Sequence, residues 1–344
     1  MGPILELRDV VKNFTGFKLN GISFTLEPGY IMGFIGANGS GKTTTIKLIM
    51  NLLHLDMGEI KVFGLDSRRH EQEVKQRIGF VYDDNHFYEE LTIIQMTKVV
   101  APFYKNWDWD TYNHYVHRFA LPADKKIKTF SRGMKMKYAL AVALAHKAEL
   151  LIMDEPTSGL DPIVRSELLD ILSEVIQDER CSILFSSHIT SDLDRIADYV
   201  TLIHQGNIVF STSKEELFET YTLIKGERSA LDANLRPYLV GVRENQFGFE
   251  GLVKERESVE RLTGGKAVLE RLKDFMLQKR ILVLVCVYVI VLGFLFQGMT
   301  DGQIVLAMSI VGFILIIFST AWESKSDVLW NSVPIPTWKI VGAK

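Results

Sequence analysis

One stretch of the sequence decides the fold, and it reads Gly36-Ala37-Asn38-Gly39-Ser40-Gly41-Lys42-Thr43. Its spacing, G-x-x-x-x-G-K-T, is that of a loop that binds phosphate groups. Apolar residues 30–35 before it predict a strand, and residues 43–53 after it predict a helix. Glycines let backbone N–H groups surround an anion, and the start of the helix adds the positive end of its dipole. The stretch therefore predicts a site for the phosphates of a nucleotide.

Two side chains of this loop have chemistry of their own. We expect Lys42 to reach the β- and γ-phosphates and the hydroxyl of Thr43 to hold Mg²⁺. Thr44 and all of residues 36–43 are the residues that we expect to bind the nucleotide. The ligands implied are ATP and Mg²⁺.

A second motif follows a predicted buried strand, the four apolar residues 150–153. Asp154 and Glu155 emerge at the end of this strand. We expect Asp154 to reach Mg²⁺ through water, and Glu155 to polarise the attacking water as general base. A strand followed by two acids is also compatible with a solvated turn, but its combination with the loop at 36–43 favours hydrolysis.

The rest of the first two thirds of the chain alternates short apolar runs with helical spacing. Such alternation implies an α/β fold in which helices cover a parallel sheet. Residues 91–145 have helical spacing throughout and predict a helical subdomain. The other predicted strands are 4–11, 21–26, 59–63, 78–82, 181–186 and 199–204, and the other predicted helices are 162–178 and 191–197.

Composition excludes several classes of protein. The net charge is −3, which argues against a nucleic-acid partner held by bulk electrostatics. Cys181 and Cys286 are the only cysteines, so no disulfide framework is implied. Residues 1–9 have none of the pattern of a signal peptide. The chain therefore has the composition of a protein that faces a reducing cytoplasm.

The C-terminal part changes character. Residues 222–269 are charged and β-like and predict a small accessory subdomain. Residues 281–296 and 304–322 are uncharged runs of 16 and 19 residues, about 24 and 28 Å long as helices, against a bilayer core of roughly 30 Å. These runs predict a transmembrane hairpin, the alternative being a buried hairpin in a soluble domain. Basic residues outside the runs, Lys273, Lys279, Arg280 and Lys325, place both ends in the cytoplasm.

Residues 4–221 resemble the ATPase subunit of ABC transporters. The resemblance is carried by the motifs already quoted and by Phe130-Ser131-Arg132-Gly133-Met134, Ser158-Gly159-Leu160-Asp161 and Ser186-Ser187-His188, all in the family's order and spacing. It implies a P-loop ATPase domain over residues 1–221, with a mixed sheet and the helical subdomain at 91–145. That subdomain would be the surface on which membrane loops dock.

The resemblance also implies how the site is completed. Two copies would form a dimer with two ATP molecules sandwiched between them. Ser131 and Gly133 of one copy would touch the γ-phosphate held by the other, and Asp161 would help the two sites communicate. His188 would contact the γ-phosphate as a further catalytic residue, and it follows a predicted strand at the sheet edge where ligands bind.

Three residues depart from the family's pattern. Arg132 replaces the first of two glycines, and it can approach phosphate or the partner, or face solvent. Asp83 replaces the usual Gln, and it can ligate Mg²⁺ or a water molecule. Phe14 stands where a Tyr is expected to stack on adenine; a phenyl face can stack as well, the alternative being a core Phe.

Residues 270–344, with the two apolar runs, resemble the start of an ABC exporter permease. Such permeases have about six spanning helices and only two are predicted, so we expect a fusion of an ATPase with the beginning of a permease. The expected function is ATP-driven export of a small molecule, drug or peptide, at the cell membrane with the ATPase on the cytoplasmic side. The partners are ATP, a second ATPase subunit, permease helices and the lipid bilayer.

Two other functions were weighed against export. A membrane-anchored ATP-binding regulator with little hydrolysis would account for Arg132 and Asp83. The presence of all four residues expected for hydrolysis argues against it: Lys42, Asp154, Glu155 and His188. A soluble clamp on DNA or ribosomes would have an inserted coiled coil or a second cassette, and the sequence predicts neither.

Overall fold

The computed structural model describes residues 2–82, 87–177, 181–232, 234–244, 246–254, 256–263 and 267–271. The chain divides into two compact units between Lys214 and Glu215, somewhat before the boundary predicted at residue 221. The predicted membrane helices at 281–296 and 304–322 lie outside the described residues, as does Asp83. Within the ranges that are described, no helix has the length and apolarity needed to span a bilayer.

The first unit begins with an antiparallel sheet of four strands in the order β2-β1-β4-β5. Its strands are β1 (Leu5–Phe14), β2 (Phe17–Leu26), β4 (Met57–Val62) and β5 (Leu65–Asp66). The expectation of a single parallel sheet is wrong for this region. A turn at Thr15 and Gly16 joins β1 to β2, and strands joined by so short a turn can pair only in antiparallel fashion.

The second sheet has six strands in the order β10-β9-β3-β8-β7-β6, and it confirms the mixed sheet expected of the fold. All pairs are parallel except β9 with β10, which form a hairpin. Every residue of β3, β7 and β8 is buried, as expected for parallel strands covered on both faces. The strands are β3 (Ile31–Ile35), β6 (Ile78–Val81), β7 (Leu150–Asp154), β8 (Ser182–Ser187), β9 (Tyr199–His204) and β10 (Asn207–Ser213).

Helices connect these strands. They are α1 (Lys42–Ile49), α2 (Glu71–Arg77), α3 (Ile93–Val100), α4 (Trp109–Arg118), α5 (Arg132–Ala145), α6 (Pro162–Val175) and α7 (Thr190–Ile196). The helix predicted at 43–53 ends earlier, because Asn51 adopts a left-handed backbone with φ of +52°.

The three helices α3, α4 and α5 lie where a helical subdomain is predicted. Their buried hydroxyl groups form a network in which Thr97 Oγ1 lies 2.9 Å from both the Tyr112 and Tyr138 hydroxyls. Each helix contributes one member, so the network fixes the packing of all three.

The second unit begins at Glu215, within helix α8 (Lys214–Thr220). It contains an antiparallel sheet of four strands in the order β12-β13-β11-β14. Its elements are β11 (Thr222–Gly226), β12 (Leu239–Glu244), β13 (Phe249–Val253), α9 (Arg256–Thr263) and β14 (Ala267–Arg271). Ile224, Phe249 and Val259 belong to its small core. Residues 222–269 therefore are rich in strands, as their sequence pattern predicts.

Candidate nucleotide site

The phosphate loop connects β3 to α1, and its glycines are required by space and by backbone conformation. A Cβ on Gly36 would lie 2.4 Å from Ser40 Oγ and 2.5 Å from the carbonyl oxygen of Ile203. Gly39 and Gly41 have φ of +78° and +118°, which side chains other than glycine rarely tolerate. The glycines therefore allow the loop to form a concave turn. The hydroxyl group of Ser40 is buried and has no hydrogen-bond partner among the described residues. An unpaired buried donor of this kind suits a phosphate oxygen.

Lys42 is the first residue of α1 and is almost fully buried, at 5% exposure. Its ammonium group donates to the carbonyl oxygens of Gly36 at 2.7 Å and Ala37 at 3.3 Å. The same group lies 3.0 Å from Glu155 Oε1. A buried ammonium needs such partners, because burial without them would be costly. The contacts fix the lysine at the mouth of the loop.

Asp154 ends β7 and is buried, at 1% exposure. The Ser186 hydroxyl at the end of the neighbouring strand donates to Asp154 Oδ1 at 2.7 Å. Burial raises the pKa of Asp154, and the hydrogen bonds from Ser186 and Thr43 counteract that rise. Thr43 and Asp154 are therefore neighbouring oxygen donors, which is the chemistry that Mg²⁺ prefers.

Glu155 adopts a left-handed backbone with φ of +49°, an uncommon conformation for a residue with a side chain. Its N–H group donates to Ser186 Oγ at 2.9 Å, which holds the strained residue in place. Its second carboxylate oxygen, Oε2, lies 2.6 Å from His188 Nδ1 and accepts a hydrogen bond from the N–H group of His188 at 3.3 Å. Glu155 therefore lies between Lys42 and His188.

Five of the predicted residues thus lie together at the end of β7, and we call them the β7 cluster: Lys42, Thr43, Asp154, Glu155 and His188. Sequence reasoning missed Ser186, whose hydroxyl donates to the Asp154 carboxylate and accepts a hydrogen bond from the backbone N–H group of Glu155. The sequence held a signal for this residue, because Ser186 belongs to the quoted Ser-Ser-His motif. Its contact with Asp154 becomes apparent only once β7 and β8 are seen to pair.

Three further predicted site residues lie at the starts of α5 and α6. Ser131 is exposed and caps α5, its hydroxyl accepting a hydrogen bond from the N–H group of Met134 at 3.2 Å. Asp161 is exposed and caps α6 by accepting from Ile163 and Val164 at 3.1 and 3.0 Å. Gly133 is buried against Val164, and a Cβ there would lie 2.8 Å from Val164 Cγ1. Ser131, Gly133 and Asp161 therefore form a second cluster, which we call the helix-start cluster.

Phe14 lies at the end of β1 and is 43% exposed, so it is not a core phenylalanine. Its ring centroid is 6.3 Å from that of Phe17, which sequence reasoning did not select. A Cβ on Gly41 would lie 3.1 Å from Phe17 Cζ, so Phe17 approaches the phosphate loop. Phe17, Lys18 and Gly39 are among the residues that line an open cavity of about 630 Å³ beside the loop. The exposed ring of Phe14, beside the partly buried ring of Phe17, can stack on a nucleotide base.

Two family models match the chain. The family described as ABC transporter matches residues 19–158, and the family described as ABC-2 family transporter protein matches residues 271–344. The second match begins at the last described residue of β14. It therefore covers the region in which the sequence predicts the start of a permease.

Several curated proteins are similar to this chain. The ABC transporter ATP-binding protein YtrB of Bacillus subtilis is 31% identical over 64% of this chain and 76% of its own length. The bacitracin transport ATP-binding protein BcrA of Bacillus licheniformis is 32% identical over 61% and 69%. The linearmycin resistance ATP-binding protein LnrL of Bacillus subtilis is 33% identical over 58% and 65%.

A solved structure described as the ATP binding subunit of an ABC transporter matches with a TM-score of 0.57 and 26% identity, over 63% of this chain and 92% of that chain. The fold, the phosphate loop and the relatives agree, and a permease component is implied by the second family match. The chain belongs to the ATP-binding proteins of ABC transporters and is an ABC-type ATPase.

Proposed function

We propose that this chain hydrolyses MgATP at the end of β7 and uses the energy to power export of a small molecule, drug or peptide across the cell membrane. The observation that carries the proposal is the position of Glu155, whose two carboxylate oxygens face Lys42 and His188. A carboxylate at this place can accept a proton from the attacking water and orient it. Lys42 and His188 provide cations or donors for the γ-phosphate.

Mg²⁺ fits the oxygen donors beside this base. Thr43 and Asp154 would hold it, and Ser186 supports Asp154 with a hydrogen bond. When bound, the ion neutralises negative charge on the phosphates. The sequence also assigns Asp83 to the ion, and that assignment stays a proposal. The backbone of residues 36–41, with Ser40 and Thr44, would bind the phosphates, and Phe14 would stack on adenine.

A second copy of the chain would complete each site. Ser131 is exposed at the start of α5, where helix N–H groups and the positive dipole end favour an anion. Gly133 lets α5 pack closely against Val164 of α6, which places the cap of α6 at Asp161 beside the start of α5. These features support a dimer in which the start of α5 of one copy meets the nucleotide of the other.

The membrane part of the proposal is supported by the ABC-2 family match at residues 271–344. Relatives named for bacitracin transport and linearmycin resistance support export of an antibiotic-like molecule. We propose three parts: an ATPase domain at 1–221, an accessory part at 222–269, and a membrane part at 270–344 with the ATPase on the cytoplasmic side.

The test is steady-state ATP hydrolysis by the purified full chain and its Glu155→Gln variant. We expect turnover to fall about 100-fold or more, given typical contributions of a general base, while ATP binding persists. Glu149→Gln is the matched control, because Glu149 precedes β7 at its other end and pairs there with Arg77. It should hydrolyse ATP within about twofold of the parent, as expected for an ion pair near the surface.

Two results would contradict the proposal. Equal turnover in the parent and Glu155→Gln would show that Glu155 is not the base. A parent that binds ATP and does not hydrolyse it would favour the alternative, a membrane-anchored ATP-binding regulator.

A further inference from the structure

Arg132, the residue that departs from the family's glycine pattern, lies over the loop that leaves the proposed general base. A Cβ built on Gly159 would be 2.7 Å from Arg132 Nη1, 3.3 Å from Cζ and 3.6 Å from Nε. The guanidinium group therefore lies beside Gly159, on the side where a Cβ would project, and both residues are exposed. Gly159 also has φ of +66°, so its backbone conformation favours glycine.

The loop under Arg132 is short and tightly wound. It runs from Glu155 to Asp161, and the N–H group of Ser158 donates to the carbonyl oxygen of Glu155 at 3.0 Å. The N–H group of Leu160 donates to the carbonyl oxygen of Thr157 at 3.3 Å. Consecutive turns of this kind leave little slack, so a change at Gly159 reaches Glu155 over four residues of constrained backbone.

Two further contacts join α5 to α6. Gly133 packs against Val164 in the first turn of α6, and Lys137 Nζ lies 2.7 Å from Glu167 Oε2. These contacts join helix to helix, whereas Arg132 contacts the loop itself. Arg132 therefore connects the start of α5 to the backbone segment that carries Glu155.

We propose that Arg132 is a positioning residue that holds the loop at Gly159 and so keeps Glu155 of the same copy in its productive geometry. The inference rests on the proposed function of Glu155. A glycine with positive φ is conformationally free unless its surroundings restrain it, and the planar guanidinium group supplies that restraint. Ser131 at the start of α5 would meet the nucleotide bound by the partner copy. A displacement there would move Arg132 and, through Gly159, the general base Glu155 of the same copy.

The first test compares ATP binding and turnover of the full chain in the parent, Arg132→Gly and Arg132→Lys. We expect Arg132→Gly to lower kcat roughly 5- to 30-fold, the range of a typical coupling between sites, with the Kd for ATP within about twofold of the parent. Arg132→Lys should give an intermediate kcat, because lysine keeps the charge and loses the planar surface. The control is Lys135→Gln, which removes a cation one turn along α5 that pairs with Glu89.

The second test is a double-mutant cycle with Gly159→Ala. The new methyl group would displace the guanidinium group of Arg132 from the loop, so Gly159→Ala should lower kcat in the parent and lower it by a clearly smaller factor in Arg132→Gly. Equal factors in both backgrounds would overturn the proposal. So would an Arg132→Gly variant with parental kcat, or one in which kcat and ATP affinity fall together.

The two proposals fail in distinguishable ways. If Glu155→Gln abolishes hydrolysis and the Arg132 variants are unaffected, the role of Arg132 is wrong and the proposed function stands. If the parent does not hydrolyse ATP, both are wrong. Should Arg132→Gly fail to fold, as judged by its melting transition, Arg132→Lys and Gly159→Ala decide the question.

Discussion

The cluster at the end of β7 and the cluster at the starts of α5 and α6 are built in opposite ways. Around β7, Lys42 and Asp154 are buried, and the Lys42 ammonium group lies 3.0 Å from the Glu155 carboxylate. The Ser186 hydroxyl bonds to the Asp154 carboxylate and to the backbone N–H group of Glu155. At the helix starts, Ser131 and Asp161 are exposed and accept hydrogen bonds from the backbone of their own helices. Buried, mutually paired charges suit chemistry, and exposed, capped helix ends suit recognition of another molecule.

The difference indicates how the protein divides its work. One chain holds the phosphate loop and the proposed base in contact, so the chemical half of the site is preassembled. The helix-start cluster offers its groups outward, so its contribution would be made to a second copy. Substitutions in the two clusters should therefore have different signatures.

The largest effect is expected from Lys42→Ala in the β7 cluster. Removing the ammonium group takes away the cation that we propose contacts the phosphates, so turnover should fall about 100-fold or more, as for the loss of other electrostatic contacts in active sites. Lys47→Ala on the same helix is the control, since Lys47 faces the ring of Tyr82 at 5.9 Å. Steady-state ATP hydrolysis measures both. Equal losses in the two variants would contradict the assignment of Lys42.

A smaller effect is expected from Ser186→Ala. The change removes a donor to Asp154 and an acceptor for the N–H group of Glu155, and we expect turnover to fall about 10-fold. The hydrogen bond from Ser186 lowers the pKa of Asp154, so its loss raises that pKa further. The acidic limb of the pH–activity profile should consequently move to higher pH.

The control for Ser186 is Ser182→Ala at the other end of β8. Its hydroxyl accepts a hydrogen bond from the N–H group of Gly29, so the variant loses a comparable contact remote from the acids. Its pH–activity profile should coincide with that of the parent. An unshifted acidic limb in Ser186→Ala would show that this serine does not tune Asp154.

Ser131→Ala separates capping from recognition in the helix-start cluster. Loss of the cap should cost about 1 kcal/mol of stability, and loss of the proposed contact to nucleotide should lower turnover about 10-fold. Thr92→Ala is closely matched, because Thr92 caps α3 by accepting from the N–H group of Gln95 at the same 3.2 Å. Urea unfolding should give similar losses for both, and only Ser131→Ala should lose activity. Parental activity in Ser131→Ala would restrict this residue to capping.

The other end of α5 should respond to pH through stability alone. Burial lowers the pKa of His146 to about 4, and its ring stacks on Tyr104 at 3.9 Å. Because the folded pKa lies below the ordinary value of about 6.5, the contribution to stability is complete above pH 6.5 and is lost as pH falls toward 4. Between pH 7 and pH 5, protonation of His146 should lower the free energy of unfolding of the parent by about 2 kcal/mol. His146→Phe lacks this group, so its free energy of unfolding should fall by about 2 kcal/mol less than that of the parent over the same pH range. Urea unfolding at both pH values tests this, and equal losses would contradict it.

The sequence predicts the parallel part of the fold well, because buried strands and the loop at 36–43 have strong local patterns. The mixed sheet and the ABC family are confirmed. The separate antiparallel sheet of β1, β2, β4 and β5 was missed. A pattern of apolar residues identifies a strand, but it does not determine which other strand pairs with it. Likewise the contact of Arg132 with Gly159 depends on how α5 meets the loop before α6, which no local pattern specifies.

The account depends most on the claim that the β7 cluster of one copy is completed by the helix starts of another. The direct measurement is the molar mass of the full chain by light scattering in the Glu155→Gln background, with and without MgATP. We predict that MgATP doubles the mass at a chain concentration just sufficient for the Glu155→Gln dimer, and that adding Ser131→Ala abolishes the increase at that concentration. An unchanged mass on adding MgATP, or a doubling that persists without Ser131, would contradict the account.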